Sequence, residues 1–326
     1  LLRQIFPPNL IRAILDKRPV GRKIWEAMGQ AANLPRAMRA TIDFSFALRQ
    51  GLFLVGSHPI YFSKAFVNQF RFFAKEKAYA GLLDEIKSRP TYLEMKKAGL
   101  ALTEIGGDLS KREEQFMSNL AEKIPGFGIL ARASNRAFSG MGNKLRADVF
   151  DDILRRERAA GKQLTEKEIR DVARFINSAT GRGDLPTFLA KSAPVLNAVF
   201  FSPRLMASRL NLLNPFFYVF LSGPARKESL KALFSFAGVA GAVLTLSDLA
   251  PGVEVGKDPR SADFLKVKVG NTRYDILGGF QQYMRLTGQI VSGELVSSTT
   301  GRITTLGEGF RPLTREEILL NFFKSK

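Results

Sequence analysis

A chain of 326 residues with 45% hydrophobic content can bury a sizeable core and has room for two or three units of ordinary domain size, which excludes a disordered tail. It carries 49 Lys and Arg against 30 Asp and Glu, a formal +19 spread along its length. That field favours polyanions such as nucleic acid or anionic lipid as neighbours, with an ordinary basic surface as the plain alternative. Cysteine is absent and His58 is the single histidine, which excludes disulfides, thiolate metal sites, a Cys nucleophile and a multi-histidine zinc site.

The chain opens on Leu1-Leu2-Arg3-Gln4 with no methionine, so we expect a point inside a longer polypeptide, and Phe6-Pro7-Pro8-Asn9 interrupts any leader-like run. From Asn9 to Gln30 the apolar residues recur at helical spacing on either side of Pro19-Val20-Gly21, predicting two short helices. Leu34-Pro35 opens another helix through Leu48, and Gly51 to Pro59 mixes apolar and turn residues. His58 sits in that turn without the base-and-orienter spacing that catalysis needs. Over Tyr61–Leu83, Phe62, Phe66, Phe70 and Phe73 fall at steps of four, four and three, one face of a single helix. A stripe like this is first a core or helix-partner surface. With Lys64, Arg71 and Lys75 beside it, the competing reading is base stacking next to phosphate-binding cations.

Capping boxes with hydrophobic staples start helices at Thr165 (Glu168, Leu164, Ile169) and at Thr314 (Glu317, Leu313, Ile318), and Ser110 with Glu113 forms a third box without a staple. Pro125-Gly126-Phe127-Gly128 and Ser139-Gly140-Met141-Gly142-Asn143 are expected to break the chain around a short helix, Ala131–Phe138. Lys144–Ala160 is an amphipathic helix with Leu145, Val149, Phe150, Ile153 and Leu154 on one face and charges on the other. Arg182-Gly183-Asp184 is a tripeptide that some cell-adhesion receptors recognise, best put down to chance in a chain without disulfides or a secretory signal.

Ala232 to Ser247 is a run without a charge, bounded by Lys231 and Asp248 and rich in small residues. It falls short of the ~20 apolar residues that span a bilayer, so a buried or interfacial helix is the preferred reading. Upstream, Phe200-Phe201-Ser202-Pro203 and Pro215–Leu221 add apolar patches separated by Arg204 and Arg209. The stretch 195–250 is therefore the most membrane-like part of the chain. Its candidate membrane or interface residues are Phe216, Phe217, Phe220, Phe234, Phe236, Gly238, Gly241 and Val243. Finally, Phe264–Val269 and Thr272–Leu277 alternate across Gly270-Asn271, predicting a tight hairpin that pairs Val269 with Thr272, Val267 with Tyr274 and Leu265 with Ile276. A lone hairpin is marginal in water, so it should lie on the helices of 230–250 or on a neighbouring subunit.

No phosphate-cradling loop is present, and neighbouring carboxylates such as Asp151-Asp152 read as solvated helix positions. The runs Asp43–Gly51, Arg132–Phe138, Asn177–Gly183 and Asp258–Phe264 together resemble a large polyvalent protein associated domain of tailed phages, over about Leu34 to Gly293. The resemblance implies a piece of a very long chain packaged in the virion, akin to internal core or ejection proteins delivered with the genome, and it brings no catalytic residue.

The expected fold is mainly α, a multi-helix assembly at about 60–70% helix with a single β-hairpin near 264–277. The expected segments are an N-terminal helical linker (1–33), a helical domain (34–190), an apolar helical region with the hairpin (191–293) and a C-terminal linker and helix (294–326). The expected role is a structural and assembly segment of a virion-internal protein, near the portal or in the ejected core. Such a segment would lie inside the virion and, after ejection, in the host envelope or cytoplasm. The expected partners are other virion chains, further copies of itself, non-specific DNA and the host membrane, with no enzyme activity and no cofactor. Lys64, Arg71, Lys75, Arg132, Arg136 and Arg182 are the candidate phosphate contacts. The alternative is a non-catalytic nucleic-acid-binding module of an effector delivered into the host.

Overall fold

A computed structural model describes residues 46–103, 127–184, 203–308 and 312–324. The helices expected upstream of Phe46, the Ser110 capping box and the Phe200-Phe201 patch lie outside the described residues. The chain divides into two compact units, 1–43 with 116–132, and 44–115 with 133–326. Of the smaller unit, only the start of one helix is described. The sequence boundaries near 190 and 293 both fall inside the larger unit.

The larger unit is mainly α. A π-turn (Phe46–Gln50) and a 3₁₀ turn (Leu52–Leu54) lead into α1 (Pro59–Ala74), α2 (Glu76–Ser88) and α3 (Tyr92–Lys97). The single helix expected over Tyr61–Leu83 is instead a pair, because Lys75 is extended (φ −131°, ψ 116°), ending α1 and starting α2. The buried row of α1 is Ala65, Gln69 and Phe72, one step away from the phenylalanine stripe. Phe66 and Phe70 therefore face outward, 36% and 49% exposed.

The long helix α4 (Phe127–Ala159) runs straight through Ser139–Asn143, where the glycines suggested a break. Their role is close approach rather than chain reversal. A Cβ on Gly140 would lie 2.9 Å from Phe72 Cγ and closer still to Cδ2, and one on Gly142 would lie 2.9 Å from Phe46 Cε2. Two aromatic rings thus pack on bare helix backbone. From Lys144 on, α4 is also less two-faced than expected. Leu145, Val149, Phe150, Ile153 and Leu154 are buried as predicted, but so are Arg146, Asp152 and Glu157. Arg146 is held by oxygens from two distant segments. It donates to Thr180 Oγ1 (2.8 Å), Thr180 O (3.0 Å) and Ala101 O (2.9 Å). The partly buried carboxylates of α4 are held by cations, Asp148 and Asp151 by Arg89 at 2.7 and 2.9 Å. Charged residues of a central helix are tolerated when each meets a partner.

Helix α5 (Glu166–Ala179) starts at the expected capping box, with the Thr165 side chain accepting from Glu168 N and the Glu168 carboxylate accepting from Thr165 N (2.8 Å). Then come α6 (Pro203–Leu213), α7 (Pro215–Phe220), α8 (Gly223–Asp248) and α9 (Phe280–Ser292), and finally α10 (Arg315–Lys324). The second expected box opens α10, Glu317 N donating to Thr314 Oγ1 at 3.2 Å and Thr314 N to Glu317 Oε2 at 3.0 Å. Its staple residues Leu313 and Ile318 join Tyr283, Leu286 and Phe322 in a small satellite core.

The predicted hairpin forms in its predicted register over a shorter span. Strands β2 (Val267–Val269) and β3 (Thr272–Tyr274) pair Val267 with Tyr274 and Val269 with Thr272. The third pair, Leu265 with Ile276, does not form. Leu265 adopts a left-handed conformation (φ 54°), and the Asp275 carboxylate accepts from Leu277 N (2.9 Å) and Gly279 N (3.1 Å), turning the chain into α9. Two further additions correct the single-hairpin expectation. Strand β1 (Val253–Val255) pairs with the other edge of β2, and β4 (Glu294–Val296) pairs with β5 (Ile303–Thr305) in a second antiparallel sheet. Strands β1 and β2 lie against α8, the helical surface anticipated for the hairpin.

Candidate interface on the apolar helix

Helix α8 is anchored along one side and open along the other. Its first turns are tied down by buried Ala225, Glu228, Ser229 and Ala232. The Glu228 carboxylate sits 2.8 Å from Arg156 and 3.4 Å from His58 Nε2. Further on, the Phe236 ring meets Phe53 (centroids 5.3 Å) and Phe280 (5.2 Å), and Ser235 abuts Gly56 so closely that a Cβ there would lie 2.8 Å from Ser235 Cβ. The partly covered positions Leu233, Phe236, Ala240, Leu244 and Ser247 recur at helical steps and mark the body-facing side.

The opposite side carries Phe234 (70% exposed), Val239, Val243 and Leu246 (68%), with Leu249 just beyond, and no charge between Ala232 and Ser247. Helix α8 is the one described helix long and apolar enough to cross a membrane by length and composition, yet only 11% of its apolar window is buried. Gly238 and Gly241 lie on this open side, where an added Cβ would meet nothing within 4 Å. The neighbouring α7 extends the patch with Phe216 and Phe220, 65% and 69% exposed. Of the candidate interface residues, Phe216, Phe220, Phe234, Gly238, Gly241 and Val243 are thus outward. Phe217 and Phe236 turn to the body, Phe217 beneath the Arg174 guanidinium (5.5 Å).

The candidate cations divide in the same way. Lys64 and Arg71 are exposed on α1, with Arg71 donating to Asn68 Oδ1, Lys75 is exposed at the junction with α2, and Arg132 is exposed on α4. Arg136 is committed to the end of α1, donating to Phe72 O (3.3 Å) and Phe73 O (3.2 Å). Arg182 corrects the reading of it as a phosphate contact: it is buried, and Nη2 donates to Thr103 Oγ1 at 3.1 Å. Of the tripeptide it begins, Gly183 is pressed against the Ser208 backbone, while Asp184 stays exposed and pairs with Arg174 (2.7 Å).

Three features of the interior escaped the sequence reading. Ser57 Oγ lies 2.9 Å from His58 Nδ1 while His58 Nε2 faces Glu228, a Ser-His-Glu row in outline. All three are buried, and Ser57 is also placed to donate to Leu54 O, so the row ties α1 to α8 and presents no nucleophile to solvent. Burial lowers the His58 pKa to about 4 despite the nearby carboxylate. Arg209, read as a mere separator of apolar patches, is fully buried, stacks on Phe280 (4.0 Å) and donates to Arg49 O and Gly278 O. Arg146 is the third. No spacing rule marks any of these, because Glu228, which completes the row at His58, and the partners of Arg209 and Arg146 lie far away in the chain. Among the described residues no group of three His, Asp or Glu gathers that could hold a metal ion.

Comparison with known proteins finds no matching family model, no matching curated protein and no matching solved structure.

Proposed function

We propose that this chain is a non-catalytic assembly and delivery segment of a phage-type virion-internal protein. In this reading the open side of α8 is covered by neighbouring chains in the particle and by the host membrane during genome delivery, while the basic surface makes non-specific contact with DNA. The observation that carries the proposal is the uncharged stretch Ala232–Ser247, held outward on a helix whose other side is firmly packed. A contiguous apolar face of this kind is rare on a monomer that meets only water, and an anchored helix with one apolar side suits insertion parallel to a membrane plane. The resemblance to a polyvalent phage domain supplies the biological setting.

The test is flotation of the full chain with anionic vesicles, unmodified and as Phe234→Asp/Val243→Asp. Both positions are exposed, so the substitutions should leave folding within about 0.5 kcal/mol and remove most of the vesicle-bound fraction. Equal partitioning of the two proteins would overturn the membrane half of the proposal.

The nucleic-acid module stands second, favoured by the outward Phe66 and Phe70 on a helix with no acidic residue. It ranks lower because helical geometry, at roughly 100° per residue, sets Lys64 and Arg71 about a third of a turn from Phe70 instead of interleaving cations with rings.

A further inference from the structure

Beside the open face of α8 lies a groove of about 400 Å³ between α6, α7 and α8. It is lined by Leu212 and Leu213, by Tyr218 and Val219, and by Leu230 and Leu233. Its volume falls in the roughly 300–1,000 Å³ range of small-molecule sites. Its interior offers carbon and little else, because the one hydroxyl on the wall, that of Tyr218, is used up in donating to Leu212 O at 2.6 Å.

Arg226 is the one charged residue of the lining, its Nη2 held by Val219 O (2.7 Å) and Leu221 O (3.0 Å), and the exposed Lys227 follows it in the chain. Among the described residues no carboxylate pairs with either cation, whereas Lys231, one turn further, has Glu228 at 3.8 Å. The rim is apolar: Val219 is 59% exposed and Phe220 69%, continuous with the outward face of α8.

We propose that this groove binds a single acyl chain of an anionic phospholipid, with the headgroup phosphate against Arg226 and Lys227. The inference rests on the membrane reading above and names the lipid class it would select. An apolar slot beside cations that no described carboxylate compensates fits a chain with a negative head. A zwitterionic head would bring an ammonium to the same two cations, and a helix from a protein partner would leave them unmatched.

The probes are lysophosphatidylglycerol and lysophosphatidylcholine, each below its micelle concentration, titrated into the full chain by calorimetry. The anionic lipid should bind one per chain, about tenfold or more tighter than the zwitterionic one. Val219→Trp, placed at the exposed rim to fill the slot, should abolish uptake of both. Arg226→Gln/Lys227→Gln should bring the two lipids to near parity; Lys227→Gln alone, which removes no backbone contact, should give part of that effect. Unchanged uptake by Val219→Trp, or equal affinity of the unmodified chain for both lipids, would overturn the proposal. So would a Val219→Trp protein that takes up lipid normally but sediments as a smaller assembly, for the groove would then seat a second copy. Flotation run in parallel separates the claims. A chain that floats, and loses flotation with Phe234→Asp/Val243→Asp, while lysolipid uptake ignores the groove variants, leaves the membrane reading standing and this one refuted. A chain that does not float refutes the membrane reading itself.

Discussion

The same substitution, Gly to Ala inside a helix, should have opposite signs in α4 and α8. Replacing a mid-helix glycine by alanine removes conformational freedom from the unfolded chain and gains about 1 kcal/mol when the space is empty. At Gly238 it is empty, with nothing within 4 Å of the added methyl, so Gly238→Ala should stabilise by about 0.5–1 kcal/mol. At Gly140 the methyl would lie 2.9 Å from Phe72 Cγ, where ordinary contact begins near 3.4 Å. The ring has little room to retreat. It is 3% exposed and packs edge-on against Tyr79 with centroids 6.3 Å apart. Overpacking a core costs about 1–3 kcal/mol, and a clash this close belongs at the upper end. Subtracting the propensity gain leaves Gly140→Ala about 1–2 kcal/mol less stable than the parent. Urea denaturation at constant slope reads both differences directly. If Gly140→Ala stabilised the protein as Gly238→Ala does, the packing of Phe72 on bare α4 backbone would be wrong, and with it the explanation of why the glycine run does not break the helix.

The pH dependence has a defined direction: the His58 pKa is about 4 in the folded chain and an ordinary 6.5 in the unfolded one, so the unfolded chain takes up a proton first as pH falls. Stability should be full above about pH 6.5 and decline by about 3 kcal/mol toward pH 4, a slope that His58→Gln should flatten; an unchanged slope in the variant, measured by denaturation between pH 7 and 4.5, would refute the assignment. In the sheet, Val267 is 8% exposed, and Val267→Asp should cost about 3 kcal/mol by burying an unpaired charge, whereas Lys268→Gln should cost no more than about 0.5 kcal/mol. Lys268 pairs with Glu254 across the strands at 2.8 Å, so Lys268→Asp would set like charges opposite one another and cost about 1 kcal/mol. Equal melting temperatures for Val267→Asp and Lys268→Gln would show that the Val267 side of the hairpin is not covered.

What could be read from the chain alone was whatever depends on neighbours a few residues apart. The capping boxes at Thr165 and Thr314 are local hydrogen-bond geometry, and both form. The register across Gly270-Asn271 is set by the turn, and it holds as far as Tyr274. The lack of charge between Ala232 and Ser247 marked the candidate interface by composition. Only the tertiary structure decided which side of each element meets what. Phe66 and Phe70 of the α1 stripe are outward, and Phe62 and Phe73 half-buried, because Ala65, Gln69 and Phe72 pack inward, with Phe72 seated on the bare backbone of α4. Arg136 and Arg182 count toward the net charge but spend it on Phe72, Phe73 and Thr103. The glycines of α4 and those of α8 look alike in sequence. Whether a glycine breaks a helix, seats an aromatic ring or lies bare on an open face depends on atoms brought to it from distant parts of the chain, and no local pattern encodes their arrival.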